Sequence, residues 1–257
     1  MSQNKKAARF TELHQKGNPL LLYNAWDAGS AKSICDCGAK AVATSSWSMA
    51  RAQGYCDGEM IPFSLMAQLT KRIVETVDAP VSLDFEGGYC SDDDNELIFN
   101  VQELLDLGIA GLNFEDQVVK GQGLYGVDHQ ANRIAILREA ANTRGVPLFI
   151  NARTDLFLKK DRTPEADMDE AIKRAQAYAA AGASGFFVPG LVEDHLIRGI
   201  CDNTSLPVNV MLLSGMSSIR SLSKLGVARI SFGPTPYVQT MGVLKSAAKV
   251  LFSIDAY

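Results

Sequence analysis

The stretch Pro80-Val-Ser-Leu-Asp84-Phe-Glu86-Gly-Gly-Tyr89 opens on a proline, runs through apolar residues and places two carboxylates two positions apart. Proline is tolerated at the first residue of a strand, and a short apolar run bounded by turn residues is the pattern of a strand buried on both faces of a parallel sheet. Alternate strand residues share a face, so Asp84 and Glu86 are expected to point the same way as the chain leaves the core. Two like charges at the edge of a low-dielectric interior repel. Both stay ionised only beside a cation, of which a divalent metal ion is the simplest.

Three other segments open on a proline: Pro19-Leu-Leu-Leu-Tyr-Asn24, Pro147-Leu-Phe-Ile-Asn-Ala-Arg153 and Pro207-Val-Asn-Val-Met-Leu-Leu213. Four more open on a glycine: Gly38-Ala-Lys-Ala-Val-Ala-Thr-Ser45, Gly108-Ile-Ala-Gly-Leu-Asn-Phe-Glu115, Gly182-Ala-Ser-Gly-Phe-Phe-Val-Pro189 and Gly226-Val-Ala-Arg-Ile-Ser-Phe-Gly233. Each glycine follows a stretch of helical character, where a residue free to turn left-handed ends the helix. The two kinds alternate strictly along the chain, which gives eight strands. Helical patterns cover residues 28–37, 63–77, 95–107, 130–143, 164–181, 192–203, 217–225 and 237–252. The run Ala171-Ile-Lys-Arg-Ala-Gln-Ala-Tyr-Ala179 is typical, with strong helix formers and an apolar face repeating every three to four residues. This rhythm predicts an α/β fold, a single (β/α)8 TIM barrel over residues 1–257, with residues 1–17 as a helical or extended lead-in. A doubly wound open sheet shares the alternation, but no Gly-x-Gly-x-x-Gly follows the first strand.

Composition narrows the partners. A formal charge of −4 and a pI near 5.4, with basic runs no longer than pairs such as Lys5-Lys6 and Lys159-Lys160, argue against nucleic acid or an anionic membrane and leave a small molecule. The polar N-terminus leads into no apolar signal segment and no 18 apolar residues run together, so a cytoplasmic protein is expected. Five cysteines are an odd number, and Cys35-Asp36-Cys37 leaves one residue between its thiols where zinc motifs leave two or more, so reduced thiols are expected.

In a barrel of this kind the site lies at the C-terminal strand ends. The strand registers bring Asp84 and Glu86 out beside Glu115, and the next strand adds Asn151 and Arg153 on one face. With Asp57, from the loop after the second strand, these acids form a cluster suited to Mg²⁺ or Mn²⁺, which prefer oxygen ligands and keep several waters. Arg153 is the partner for a substrate carboxylate, because its planar fork matches that group in a bidentate way; the alternative is a salt bridge to a neighbouring acid.

The stretches Asp84-Phe-Glu-Gly-Gly-Tyr89, Gly111-Leu-Asn-Phe-Glu-Asp-Gln117 and Asn151-Ala-Arg-Thr-Asp155 resemble the isocitrate lyase/phosphoenolpyruvate mutase superfamily. So do Asn24-Ala25, Ser45-Ser46-Trp47 and Gly54-Tyr-Cys-Asp57, and the match runs from about Pro19 to Gly233 in the family's order. The resemblance implies a Mg²⁺-dependent barrel that binds a small α-oxyacid and makes or breaks a C–C or C–P bond through an enolate. It implies Asp84 as the acid nearest the metal, with Glu86, Glu115 and Asp57 assisting. Asn24, Ser45, Ser46 and Trp47 would bind substrate, the serine loop through backbone N–H groups, and Arg153 would contact the oxyacid. It also implies a homodimer or homotetramer.

The departures bear on the reaction. The segment Gln117-Val-Val-Lys-Gly-Gln-Gly-Leu-Tyr-Gly-Val-Asp-His129 has neither the cysteine of the family's lyases nor the Pro-Lys-x-Asn-Ser type of sequence of its phosphonomutases. Isocitrate or methylisocitrate cleavage by the cysteine route is therefore not expected. The glycines of Val118 to Asp128 suit a flexible lid, with Lys120 and Tyr125 as its candidates for acid or base work; His129 reads equally as the start of the next helix. The sixth strand ends in Val188-Pro189-Gly190, where lyases place a glutamate. The leading expectation is a lyase or decarboxylase that cleaves a C–C bond in a small α-keto or α-hydroxy (di)carboxylic acid. The alternatives are C–P chemistry and a metal-dependent α-ketoacid-binding barrel with little catalysis.

Overall fold

All eight proline-led and glycine-led segments form strands at the expected places: β1 (Leu20–Leu22), β2 (Val42–Ala43), β3 (Val81–Asp84), β4 (Gly111–Glu115), β5 (Phe149–Arg153), β6 (Gly185–Phe187), β7 (Val208–Met211) and β8 (Arg229–Ser231). The computed structural model describes residues 1–158 and 163–253, so the Lys159-Lys160 pair lies outside the described residues. The strands are parallel, in the order β1-β8-β7-β6-β5-β4-β3-β2. A parallel bridge between Ala25 and Thr44 joins β1 to β2 just above the strands and closes the barrel. Closure removes the sheet edges, which the open-sheet alternative would have kept.

Among the described residues ten α-helices surround the strands: α1 (Gln3–Glu12), α2 (Ala28–Asp36), α3 (Ser46–Ala52), α4 (Phe63–Thr76), α5 (Asp94–Asp106), α6 (Val127–Thr143), α7 (Met168–Ala180), α8 (Asp194–Asn203), α9 (Ile219–Lys224) and α10 (Thr235–Ser253). Eight correspond to the periodic stretches. Residues 1–17 resolve into α1, whose Ala7 and Phe10 close the bottom of the barrel against Leu20, Leu22, Ala43 and Phe149. The second addition is α3, in a stretch expected to be a loop: Ser45 caps it by accepting the Ser48 N–H, and the run is too short for periodicity to reveal.

Outward-facing Leu83, Leu112, Phe114, Ile150, Phe186, Val210 and Ile230 form the main core with the helices. Inward-facing residues change character with height, from Phe149 at the bottom to Asn113, Asn151, Asn209 and Arg229, all buried, in the middle. The outer face of β1 differs from the others. Leu21 and Tyr23 are exposed there, beside a groove of about 890 Å³, while α10 buries only Pro236 and exposes Val243, Leu244, Val250, Leu251 and Phe252. Among the described residues no helix is long and apolar enough to cross a membrane.

Candidate active site

The upper ends of all eight strands surround a cavity of about 190 Å³. Asp84 lies on its wall, at the last position of β3, and its side chain is held from two directions. Ser46 donates to Oδ2 through its backbone N–H (3.1 Å) and its hydroxyl (2.8 Å), and the Asn113 amide donates to Oδ1 (3.3 Å). The Ser46 N–H, one of those that the first turn of a helix leaves without a partner, is thus spent on the carboxylate. The loop expected to hold a substrate carboxylate here gives its Ser46 N–H to Asp84 instead. Ser45 is the α3 cap, and Trp47 contributes its half-buried ring to the cavity.

Arg153, at the end of β5, also lines the cavity, but its fork is already engaged. Nε and Nη2 donate to Asp155 at 2.6 and 2.9 Å, and Nη1 lies 2.9 Å from Glu115. The salt-bridge reading of Arg153 is realised, yet three of its five N–H groups are used, leaving two for a ligand. Burial by itself would lower the Arg153 pKa, and the Glu115 and Asp155 charges overcome this and hold it well above the ordinary arginine value. Burial pushes Glu115 up against the pull of Arg153. Asp155 is placed in turn by Asp116, fully buried, which accepts its N–H and bonds Arg174 and Tyr178 of α7.

Glu86 does not share the face of Asp84. The strand ends at Asp84, and Glu86 takes a left-handed conformation (φ 49°) that breaks the alternation. Its buried carboxyl accepts from the Glu59 N–H (2.9 Å) and the Tyr89 hydroxyl (2.9 Å), away from the cavity lining. Burial and then the charges of Asp84 and Asp57 push its pKa up to about 8. Glu115 likewise faces Arg153 and not the cavity. Of the four acids of the sequence reading, Asp84 and Asp57 line the cavity, and Glu86 and Glu115 stand behind them, close enough for the charges to be felt. Among the described residues no three His, Cys, Asp or Glu side chains converge as a closed metal cage. Desolvation and then the Asp84 charge push Asp57 up, as expected for two acids that share one space. Two carboxylates with the remaining positions left to water fit a hard divalent ion such as Mg²⁺.

Asn24 lines the cavity, but its amide is engaged in closing the barrel: Nδ2 donates to the Thr44 carbonyl, and Oδ1 accepts from the Phe232 and Gly233 N–H groups. Lys120 and Tyr125 lie outside this cavity. They line a second one, of about 230 Å³, with Glu59, Gly87, Asp92 and Arg133. The proposed lid is a short hairpin: Gln117 bridges Leu124, the Val118 N–H donates to the Gly123 carbonyl, and the Tyr125 N–H donates to that of Asp116. Lys120 is half-exposed, 3.8 Å from Glu59, and Tyr125 stacks on His129 with Arg133 over its ring. His129 belongs to the first turn of α6 and pairs with Asp92 at 2.7 Å, which is its helical reading.

Sequence reasoning assigned no role to Asn113 or Arg229. Asn113 is the register partner of both Asp84 and Asn151, and its Oδ1 accepts from Asn151 (2.9 Å) and Arg229 (3.2 Å). Both neighbours donate to that oxygen, so the amide N–H₂ must face Asp84. The available signal was an arginine in the middle of an otherwise apolar strand, Val227-Ala-Arg-Ile230.

The family model for phosphoenolpyruvate phosphomutase matches residues 10–252. A crystal structure from Burkholderia cenocepacia J2315, provisionally named a phosphonomutase, is 44% identical, covers 96% of this chain and 99% of that one, and superposes with a TM-score of 0.93. An uncharacterized protein of Mycobacterium tuberculosis is 31% identical over 94% of this chain and 88% of its own length. The 2-methylisocitrate lyase of Bacillus subtilis (strain 168) is 26% identical over 92% of this chain and 71% of its own length. The chain belongs to the phosphoenolpyruvate phosphomutase family, within the isocitrate lyase/phosphoenolpyruvate mutase superfamily of lyases and mutases.

Proposed function

We propose that the chain is an enzyme dependent on Mg²⁺ or Mn²⁺ that binds a small α-keto or α-hydroxy acid and cleaves a C–C bond through an enolate, as a lyase or decarboxylase. The observation that carries this reading is Asp84, a carboxylate fixed by Ser46 and Asn113 on the wall of a cavity that Arg153 also lines. A bound divalent ion would supply positive charge beside the oxo oxygen, where an enolate develops its negative charge. Asp84 and Asp57 would hold that ion. The two free N–H groups of Arg153 orient the carboxylate of the acid, and Asp155 and Glu115 keep the guanidinium in place. Turnover of oxaloacetate, malate analogues and 4-hydroxy-2-oxo acids, assayed with Mg²⁺ and with EDTA, tests the proposal. Metal-dependent cleavage of one of them is expected. Tight binding without turnover across the set would favour the binding-barrel reading instead.

The provisional phosphonomutase name of the Burkholderia structure supports a second reading, C–P chemistry. Phosphonopyruvate distinguishes it: release of phosphate or rearrangement to phosphoenolpyruvate would replace the C–C assignment.

We also propose that the chain works as a homodimer or homotetramer. The exposed apolar side of α10 and the groove along the outer face of β1 are complementary in character, and α10 of a second copy suits that groove. Sedimentation of the full chain tests this; a monomer at micromolar concentration would contradict it.

A further inference from the structure

The cavity has two unlike halves. The ends of β1 to β5 give it its amides, hydroxyls and charges, among them Ser46, Asp57, Asp84 and Arg153. The ends of β6 to β8 give it Phe187, Pro189, Met211 and Pro234. Met211 has a fixed seat, because Gly233 leaves room for its sulfur: a Cβ there would lie 2.7 Å from Sδ. Phe187 is buried and flanks the Arg153 guanidinium at 6.0 Å, which marks the border between the halves.

The polar groups that the apolar half presents to the cavity are already engaged. The Ser231 hydroxyl accepts from Arg229 and donates to Asn209, the Gly233 N–H donates to Asn24, and Pro189 and Pro234 have no N–H. Among the described residues Arg153 is the one cation that lines the cavity, and it already faces two carboxylates. Arg229 lies in the layer beneath, bonded to Ser231 and Asn113; its Nη1 and the Asn209 Nδ2 are unpaired, but both are buried and neither residue lines the cavity. A ligand carboxylate laid against Phe187 and Met211 would lose its water and find no donor. An alkyl group in the same place would gain roughly fourfold in affinity for each CH₂ buried.

We infer that the ligand of this site carries one carboxylate, the one joined to its oxo or hydroxy carbon, and an uncharged apolar remainder that lies against Phe187, Pro189 and Met211. This rests on the oxyacid reading above and narrows it to monocarboxylic acids. A volume of about 190 Å³ suits an oxyacid head with a chain of a few carbons.

The test is calorimetry on the full chain in Mg²⁺ with three probes. Oxalate imitates the head alone, since its adjacent carboxyl groups stand in for the carboxylate and oxo pair. The other two, 2-oxopentanoate and 2-oxoglutarate, have the same five-carbon chain and differ in a terminal methyl or carboxylate. Expected are binding of oxalate and a preference of at least tenfold for 2-oxopentanoate over 2-oxoglutarate. In Met211→Arg, which places a cation on the apolar wall, that preference should shrink below threefold or invert. No binding of oxalate would sink the oxyacid reading, and this inference with it. Binding of oxalate with 2-oxoglutarate equal to or tighter than 2-oxopentanoate, or with neither bound, would overturn the inference alone. An unchanged ratio in a folded Met211→Arg would remove Met211 as its determinant.

Discussion

Replacing Arg153 by Lys keeps the charge and removes the fork, and the structure sets the size of the effect. The guanidinium makes three contacts, at 2.6 and 2.9 Å to Asp155 and 2.9 Å to Glu115, among side chains that are 17%, 5% and 6% exposed. A lysine ammonium reaching from the same Cα can serve one of the two acids well, so about two charge-assisted hydrogen bonds are lost. Each contributes roughly 1.5–3 kcal/mol, and breaking a buried pair outright costs about 3–5 kcal/mol. Glu115, already pushed up by burial, relieves part of this by taking a proton. The expected net loss is about 3 kcal/mol, which for a chain of this length lowers Tm by roughly 6–12 °C. Differential scanning calorimetry of both proteins at pH 7 measures it, and oxalate affinity in Mg²⁺ should fall with it, by about tenfold or more. A Tm within 2 °C of the parent would refute the claim that Asp155 and Glu115 clamp this residue.

Two further outcomes are expected. His14 is buried against Phe149, and burial and then the Arg229 charge lower its pKa to about 3. The unfolded chain takes up a proton below about pH 6.5 that the folded chain refuses. Stability is therefore fully present above that pH and is lost as pH falls towards 3, by up to about 1.4 kcal/mol per unit. Urea unfolding of His14→Phe at pH 6.5, 5.5 and 4.5 should show a shallower decline than the parent; parallel declines would contradict the assignment. At Gly87 a Cβ would lie 2.8 Å from Val119 Cγ2 and 3.2 Å from Glu59, so Gly87→Ala should unseat the hairpin at 117–124 at a cost of about 1 kcal/mol. Trypsin should then cleave after Lys120 faster, and an unchanged rate would mean the hairpin does not rest on Gly87.

The fold was legible because its signals are local and repeated. A proline is tolerated where each odd strand opens, and the glycine ending the helix before each even one is required by the chain path: Gly38, Gly108, Gly182 and Gly226 all take φ between 92° and 96°. Asp84 and Arg153 were legible as neighbours because strand register carries them to one end of the barrel, where the loop after α3 adds Asp57 to the same lining. Glu86 was misread because the period-two argument holds only while the strand lasts, and the left-handed turn after Asp84 is set by tertiary bonds to Glu59 and Tyr89. Lys120 and Tyr125 were read from loop position alone as acid or base candidates on a lid, and their packing on Glu59 and Arg133 sets them at the neighbouring cavity. The support beneath Asp84 was hidden for a related reason. Asn113 and Arg229 lie 116 positions apart, and only closure of the barrel brings them together.

The central claim is that Asp84 carries a divalent ion that in turn carries an oxyacid. Titration of oxalate into the protein with Mg²⁺, with EDTA, and into Asp84→Ala with Mg²⁺ tests it most directly. The account predicts heat of binding in the first case alone, with Asp84→Ala unfolding cooperatively like the parent. Equal oxalate affinity in EDTA, or in a folded Asp84→Ala, would contradict it.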